Sequence, residues 1–448
     1  MDQLTVIAAK IRIFFEEKLC EKLPELIEKA NEGDLLGLEE QLWGSVASLY
    51  GLIASEALQA SARASESTLR EKARQSGLRK LEWRTMQVQI KTGHYVAVPG
   101  LYAKQAPKGW RAPRHLLCSH WKLLKGATPA YYGTAGLFGV LCPSFEVASH
   151  VLGHLGIRQN RDRLQKLAGA LAQHCKDAQP ELALKKGETL RGKRVLIGID
   201  GGRTRMREYT GQANKAGNPK FSTPWMEPKM FVVEVLDDKG QIERSELPIY
   251  GCRFGDDELI SLLMDHLKAL GIRHAKQVQV VADGAAWIWN RVKKRLRALG
   301  VAAKKIVETV DYFHAAEYVH SIAAALPGKL KARSARILRD FKKWLWQGQI
   351  EKIIEKCREY FARPSQEIAR WINYLDKHKE RMRYAELRSG KLACGSGVIE
   401  SGIRRVINLR FKNASAFWHP ENVEALYFLR GILLSYRWDI FMGNLMRQ

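Results

Sequence analysis

Three short apolar runs in the middle of the chain each end in an aspartate. They are VLIGID at 195–200, VQVVAD at 278–283 and IVETVD at 306–311. Runs of this length that are rich in β-branched residues predict buried strands, and the segments between them have helical spacing. Strands that alternate with helices are typical of a mixed sheet covered by helices. The sequence therefore predicts an α/β fold with aspartates at the rim of the sheet, where ligands collect.

The chain is strongly basic. Its 448 residues carry a formal net charge of +26, from 73 Lys and Arg against 47 Asp and Glu. Positive charges in such excess repel one another in the folded state. The most common explanation for such a charge is a polyanionic binding partner, usually nucleic acid. A ribosome-associated scaffold and a protein that binds anionic membranes are the alternatives. The length predicts two or three domains.

Cysteine usage and hydropathy indicate the compartment. The seven cysteines form no CxxC pair, which argues against a zinc finger or ribbon, and a scattered odd set is typical of a reducing cytosol. The N-terminus opens into a charged helix, which predicts no signal peptide. The most apolar stretch, 131–157, contains a proline, a glutamate and two histidines, which favours buried helices over a membrane span. We expect a cytoplasmic protein without a membrane partner.

The N-terminal region, 1–185, is predicted to be mainly helical. Apolar residues at helical spacing predict a helix over 5–30 and a second helical stretch over about 35–81. Residues 82–104 change to a period of two around a Thr-Gly-His turn, which predicts a β-hairpin.

Two helices are predicted near the end of this region. One covers 144–155 and the other begins near Arg158, with a turn at Gly156. A short helix, a glycine turn and a basic second helix permit a DNA-binding helix-turn-helix. A plain antiparallel pair of helices is the alternative, and both remain open at this stage.

Three acids are candidates for metal chemistry. Asp200 and Asp283 each end a predicted strand and precede a glycine, and Glu400 lies in the first turn of a helix after a Gly-Ser-Gly break. Phosphoryl transfer on DNA uses two divalent ions about 3.5–4 Å apart. Three carboxylates from two strands and a helix are the minimum that could hold such a pair. Carboxylates also occupy these positions for turn and helix-dipole reasons, which is the alternative for each of them.

The motifs that carry these acids resemble those of DDE transposases of bacterial insertion sequences, in particular the Kra-type group and its mutator-like relatives. The similarity covers VLIGID, then VADGAAW at 281–287 and GSGVIESGIRR at 395–405. DYFH at 311–314 matches the Asp-x-x-His signature of such transposases. The long separation between Asp283 and Glu400 is similar to the separation in relatives that carry a helical insertion.

The resemblance implies a domain organisation and an activity. It implies an RNase H-like mixed sheet over 190–314, an all-helical insertion over 315–390 and C-terminal helices of the core over 391–448. The region 1–185 would recognise DNA. Asp200, Asp283 and Glu400 would be the catalytic metal ligands for two Mg²⁺ or Mn²⁺ ions.

The resemblance also implies partners. The enzyme would cut the terminal inverted repeats of a transposon and join the freed 3′ ends to target DNA, as a homo-oligomer assembled on double-stranded DNA near the bacterial nucleoid.

Basic residues flank two of the acids. Arg203, Arg205 and Arg207 alternate, so on an extended strand they would share one face and present guanidinium groups to DNA phosphates. Arg404 and Arg405 follow Glu400, and Arg404 aligns with it on one helical face. The alternatives are a solvated surface for both sets and an internal Glu400–Arg404 ion pair.

The Asp-x-x-His motif and the tryptophans leave further alternatives open. His314 is a candidate for ordering the active site or DNA, and a helix-capping histidine is the alternative. Asp311 and Glu317 are rival acids to Glu400. Two tryptophan pairs, 287/289 and 344/346, could stack on an unpaired base, although core packing is the more common role of such rings.

Three rival functions remain. Another RNase H-like nuclease, such as a junction resolvase, is disfavoured by the helical insertion and by the Asp-x-x-His motif. A non-catalytic DNA-binding protein derived from a transposase is disfavoured by the presence of all three acids. A basic RNA-binding scaffold is disfavoured by the absence of a stacking-strand motif.

Overall fold

The structure is a computed structural model that describes residues 3–413 and 416–448. The chain divides between Cys175 and Lys176 into two compact units. Within the described ranges, no helix combines the length and apolar character needed to cross a membrane.

The first unit is mainly helical, with one antiparallel hairpin. Its helices are α1 (Gln3–Lys18), α2 (Leu23–Asn31), α3 (Leu35–Ala64), α4 (Glu66–Gln75), α5 (Leu116–His120), α6 (Pro129–Leu141), α7 (Phe145–His154) and α8 (Arg161–Cys175), with a 3₁₀ turn at Cys20–Lys22. Its strands are β1 (Arg79–Gln89) and β2 (Tyr95–Gln105). The hairpin predicted over 82–104 is therefore confirmed, and it begins three residues earlier, at Arg79, and ends one residue later, at Gln105.

The predicted helix over 5–30 is interrupted, and the prediction of one continuous helix was wrong. The helix α1 ends at Lys18 and α2 begins at Leu23, with Pro24 in the first turn of α2. Proline lacks the N–H that a helix interior requires but is tolerated in the first turn, so it begins a new helix. The second helical stretch is likewise divided between α3 and α4, at Ser65.

The helices predicted around Gly156 are α7 and α8. Residues 155–160 connect them, a longer connection than the roughly 3–4-residue turn of a helix-turn-helix. Of the two connections on either side of α7, the shorter one precedes it and consists of residues 142–144. Arg163 of α8 donates to the side chain of Gln89 and to the carbonyl of Lys125, which fixes this cation inside the unit.

The second unit contains the main sheet and helices that cover both of its faces. Its strands are β3 (Arg194–Gly201), β4 (Thr204–Arg205), β5 (Glu208–Ala213), β6 (Pro219–Ser222), β7 (Trp225–Met226), β8 (Lys229–Leu236), β9 (Ile249–Arg253), β10 (Gln277–Ala282) and β11 (Ile306–Val310). Its helices before α13 are α9 (Gln179–Ala183), α10 (Asp256–Ala269), α11 (Ala286–Trp289) and α12 (Val292–Ala298).

An all-helical stretch follows β11. It contains α13 (Tyr312–Ala324), α14 (Ser334–Trp346), α15 (Ile350–Tyr360), α16 (Gln366–His378), α17 (Tyr384–Ser389), α18 (Gly397–Ile403), a π-helical turn (Arg404–Asn408), α19 (Leu409–Phe411), α20 (Pro420–Leu434) and α21 (Trp438–Arg447). Short 3₁₀ turns lie at Ile272–His274, Ala303–Lys305, Gly328–Arg333 and Lys379–Arg381.

The main sheet has five strands in the order β11-β10-β3-β8-β9. β10 and β11 run parallel to β3, whereas β8 is antiparallel to β3 and β9 is antiparallel to β8. The predicted mixed sheet covered by helices is confirmed. The three apolar runs that precede an aspartate in the sequence form β3, β10 and β11, which are adjacent in the sheet.

Both faces of the sheet are buried. Ile197 and Ile199 pack with Leu259 of α10 in the main core, whereas Leu196 packs with Val398 of α18. Because successive side chains of a strand point to opposite faces, α10 and α18 cover opposite sides of the sheet. Strands buried on both faces explain the continuous apolar runs in the sequence.

Candidate active site

Three aspartates form one row across the parallel strands. Along the parallel part of the sheet, the last paired residues are Ile199 of β3, Ala282 of β10 and Val310 of β11, which stand opposite one another. One residue further along each strand come the three carboxylates, and neighbouring strands lie about 4.8 Å apart. The residues in this row are Asp200, Asp283 and Asp311.

The row lies on the α18 side of the sheet. Asp200 is two residues beyond Gly198 on β3 and therefore points to the same face. At Gly198 an added Cβ would stand 2.9 Å from Cβ of Ile399 and 3.1 Å from Val232. The backbone of β3 thus makes direct contact with α18, the helix that carries Glu400. Asp200, Asp283 and Glu400 consequently occupy the same side of the sheet at the same edge.

Asp200 is a half-buried carboxylate in the field of other acids. Burial raises its pKa to about 6, and the charges of Asp283 and Glu400 act in the same direction. A hydrogen bond from the Gly201 N–H, 2.7 Å from Oδ1, and the charge of His314 oppose this rise in the pKa. The site is therefore electrostatically unfavourable for an anion and would be stabilised by a cation.

Asp283 is held by its own loop. Its Oδ1 accepts a hydrogen bond from the N–H of Ala285 at 2.8 Å, and its carbonyl accepts one from the indole of Trp289 at 2.7 Å. Trp289 is buried in the main core. The strand-to-helix turn after β10 is thus anchored by a core tryptophan, and the carboxylate keeps one oxygen free of this local bond.

Glu400 is positioned through Asp311 and Ser396. The hydroxyl of Ser396 donates to Oε1 of Glu400 at 2.6 Å, and the N–H of Ser396 donates to Oδ2 of Asp311. The other oxygen of Asp311 accepts from the N–H of His314 at 2.7 Å, which caps α13. Both oxygens of this buried carboxylate therefore bind backbone donors. Through these two hydrogen bonds, Asp311 links the start of α13 to the segment that leads into α18.

His314 lies beside the acids and is not the capping group. Its N–H is capped by Asp311, and its ring is part-exposed, 3.6 Å from the carboxylate of Glu317. Its charge lowers the pKa of Asp200. The ring also meets Tyr318 edge-on at 5.5 Å. The structure thus brings His314 together with Asp200 and leaves Glu317 as its neighbour on α13.

Glu227 is a further acid at this edge, and the sequence analysis missed it. It lies just before β8, and a Cβ on Gly201 would stand 2.9 Å from its carboxyl carbon. Its carboxylate therefore reaches over the backbone next to Asp200. No motif marks this residue, because its position follows from the antiparallel return of the chain between β3 and β8.

The three alternating arginines follow Asp200 directly. Thr204 and Met206 are fully buried, so the intervening arginines point away from the core. Arg205 lies 4.8 Å over the ring of Trp225, and Arg207 lies 4.4 Å over the ring of Phe221. Arg203 is exposed. In the part of the chain that the structure describes, none of the three has a carboxylate partner.

Arg404 and Arg405 have different environments. Arg404 is exposed and forms no ion pair with Glu400 within residues 3–413 and 416–448. Arg405 donates to the hydroxyl of Tyr250 at 2.6 Å, which ties its guanidinium to β9. The helix widens into a π-helical turn from Arg404 to Asn408.

The four tryptophans divide between core and surface. Trp289 is buried, and Trp287 and Trp344 pack against the main core. Trp346, at the end of α14, is 41% exposed. Core packing therefore accounts for three of these rings and does not account for the fourth.

The spacing of the carboxylates limits metal binding in this arrangement. Among the described residues, no three His, Cys, Asp or Glu side chains converge closely enough to hold a metal ion. The chemistry of the donors nevertheless suits Mg²⁺, since hard carboxylate oxygens gather on one face without a neutralising salt bridge to Asp200. Metal binding would require these side chains to reorient.

Comparisons with known proteins give one structural similarity. No protein-family model matches the sequence, and no match to a curated protein was found. The chain is similar to a protein in the solved structure of the Drosophila P element transposase strand transfer complex. The matched region covers 70% of this chain and 93% of that chain, at 12% sequence identity and a TM-score of 0.34. A TM-score this low does not establish a shared fold.

Proposed function

We propose that this protein is a metal-dependent DNA transposase with Asp200, Asp283 and Glu400 as its catalytic acids. The observation that carries the proposal is their common location. Two carboxylates are neighbours in one row at the edge of the sheet, and the third lies on the helix that packs on the same face. In this arrangement the charges of Asp283 and Glu400 both raise the pKa of Asp200, as expected for neighbouring carboxylates.

The strand order supports an RNase H-like core. Such a core places the first acid on a central strand flanked by an antiparallel pair on one side and by parallel strands on the other. The order β11-β10-β3-β8-β9 has this arrangement, with Asp200 on the central strand. The helices between β11 and α18 correspond to the expected insertion between the second and third acids.

Two Mg²⁺ or Mn²⁺ ions would be held by the three acids, with Glu227 as an additional nearby carboxylate. When bound, such ions activate the attacking oxygen and stabilise the leaving oxygen of a phosphodiester. Asp200 and Asp283 would orient the ions from the sheet, and Glu400 would close the site from α18. His314 would remain close enough to Asp200 to influence its charge state.

DNA would be the substrate, as the net charge of +26 suggests. Arg203 is exposed, and Arg205 and Arg207 are part-exposed over aromatic rings. None of the three has a carboxylate partner among the described residues, which suits phosphate binding. Terminal inverted repeats would be recognised by the first unit, and target DNA would be joined by a homo-oligomer in the bacterial cytoplasm.

A cleavage assay tests the proposal. The substrate is plasmid DNA that carries the sequences flanking the gene, and the products are released 3′ ends and joined strands. Asp200→Asn, Asp283→Asn and Glu400→Gln should each abolish both products in Mg²⁺ and leave DNA affinity nearly unchanged. Asp265→Asn, an exposed acid on α10, is the matched control. Full activity of an Asp200→Asn/Asp283→Asn variant would contradict the proposal.

The second candidate is a non-catalytic DNA-binding protein derived from a transposase. The observation in its favour is that the described carboxylates do not converge at metal-binding distances. Cleavage without joining would instead indicate another RNase H-like nuclease. Binding without either product in Mg²⁺ or Mn²⁺ would favour the non-catalytic protein.

A further inference from the structure

A cavity of about 510 Å³ lies next to the Asp311–Ser396 contact. Its volume is typical of small-molecule sites, which span about 300–1,000 Å³. The cavity opens between the start of α13, the end of α14 and the segment before α18. Its lining residues are Tyr312, Phe313, Lys342, Lys343, Trp346, Cys394 and Gly395. The chemistry proposed above uses none of them.

Two large aromatic rings line this cavity without being buried. Phe313 is 68% exposed and Trp346 is 41% exposed. Folding normally buries such rings, because each removes a large apolar area from water. Neighbouring exposed rings at a cavity indicate a binding surface.

The Trp346 ring is held in a fixed orientation. Tyr312 meets it edge-on with the ring centroids 4.9 Å apart. The guanidinium of Arg388 lies 3.9 Å from the ring centroid and also donates to the carbonyl of Trp346 at 2.8 Å. A ring ordered in advance loses little entropy when a planar ligand stacks on it.

Two lysines supply positive charge to the same cavity. Lys342 and Lys343 lie on α14, one turn before Trp346. Within the described residues, neither lysine pairs with a carboxylate. Flat apolar rings beside unpaired ammonium groups complement a nucleotide, which combines a planar base with an anionic phosphate.

The cavity is joined to the acid site through one pair of segments. The Phe313 ring lies against Gly395, where an added Cβ would be 3.4 Å from Cε2 of the ring. The N–H of Tyr312 donates to the carbonyl of Cys394 at 2.9 Å. Asp311, which precedes Tyr312, accepts a hydrogen bond from the N–H of Ser396, which follows Gly395, and the hydroxyl of Ser396 donates to Glu400.

We propose that this cavity binds one unpaired nucleotide of the DNA strand that enters the acid site. Its base stacks on Trp346 and Phe313, and its phosphate pairs with Lys342 and Lys343. The base must be unpaired, because bases within a duplex are covered by their neighbours. The inference rests on the proposed function and adds a base-binding site to it.

A binding measurement tests the inference without catalysis. The full chain is titrated in EDTA against fluorescein-labelled duplexes of one sequence, either blunt or with an unpaired dT overhang. Trp346→Ala and Phe313→Ala should each raise the Kd for the overhang duplex roughly tenfold and leave the Kd for the blunt duplex unchanged. Trp346→Phe should retain most of the affinity, since it keeps a ring. Circular dichroism verifies the fold of each variant.

The lysines have a matched control. Lys342→Gln should lower the salt dependence of overhang binding by about one unit of log–log slope, as expected when one phosphate contact is removed. Lys352→Gln, an exposed lysine on α15, should leave the slope unchanged.

Two results would overturn the inference. One is overhang binding of wild-type strength in both Trp346→Ala and Phe313→Ala, and the other is an equal loss on blunt and overhang duplexes. The metal-free format separates this test from the proposed function. If wild-type protein binds the overhang selectively but cleaves no DNA in Mg²⁺, the catalytic proposal fails and the base-binding site stands.

Discussion

The N–H of Ser396 donates to the buried carboxylate of Asp311, joining the end of β11 to the segment that leads into α18. The hydroxyl of the same serine donates to Glu400 at 2.6 Å. The Asp-x-x-His motif therefore reaches the third acid through one intervening residue. This gives the aspartate of the motif a positioning role that does not require it to bind metal.

The first prediction concerns this contact. Ser396→Ala removes the hydroxyl but keeps the N–H, so it should lower unfolding free energy by only about 1 kcal/mol. Metal-dependent cleavage should fall roughly 10- to 100-fold, because Glu400 loses its orientation. Urea unfolding and cleavage rates measure the two effects. Ser321→Ala, whose hydroxyl bonds within α13, is the control, and equal cleavage by both variants would refute the positioning role.

The second prediction concerns the close approach of β3 and α18. Gly198→Ala should destabilise the protein by about 1–3 kcal/mol, because its methyl group meets Ile399 at 2.9 Å and the helix must move. Gly397→Ala in the same helix meets nothing within 4 Å and should be neutral or slightly stabilising. Thermal unfolding compares the two. Equal Tm values would show that α18 is not seated on Gly198.

The third prediction is a pH dependence of stability. The pKa of Asp200 rises from 3.8 to about 6 on folding, chiefly through burial. Well below its unfolded pKa of 3.8 the carboxyl is protonated in both states and contributes nothing. As the pH rises towards 6 the unfolded state ionises first, so the native state loses stability. Asp200→Asn has no such charge and should therefore be more stable than wild type by roughly 2–3 kcal/mol above pH 7.

Urea unfolding between pH 4 and pH 8 measures this difference. The advantage of Asp200→Asn should grow with pH and be smallest at pH 4, close to the unfolded pKa of 3.8. A constant difference across this range would mean that the folded-state pKa of Asp200 is not raised.

The fourth prediction concerns metal binding in the absence of DNA. Mg²⁺ should raise the Tm of wild type, because an ion that binds only the native state stabilises it, and EDTA should reverse the shift. Asp200→Asn should lose most of the shift, whereas Asp265→Asn on the α10 surface should keep it. A shift of the same size in all three proteins would place the ion elsewhere.

The fifth prediction concerns DNA affinity. Arg207→Gln should reduce the slope of log Kd against log salt by about one, because its guanidinium has no carboxylate partner among the described residues and is free to bind phosphate. Arg244→Gln changes an exposed arginine outside this run and is the control. Anisotropy titrations at several salt concentrations measure both slopes, and an unchanged slope for Arg207→Gln would remove this residue from the interface.

The sequence alone determined the features that repeat at short range. The three strands and their terminal aspartates follow from short apolar runs rich in β-branched residues, and the alternation of Arg203 to Arg207 follows from the period of two that an extended backbone imposes. The hairpin of β1 and β2 was equally predictable from alternation and its turn residues. Contacts between neighbours along the chain suffice for these features.

Only the tertiary structure decided how distant segments meet. That Glu400 lies over the sheet depends on the fit of Ile399 against Gly198, two residues far apart in the chain. Whether a tryptophan is buried like Trp289 or exposed like Trp346 depends on which helices pack around it. Similar local sequence patterns can therefore end in the core or at a cavity, because packing between remote elements, and not local periodicity, determines which surfaces are covered.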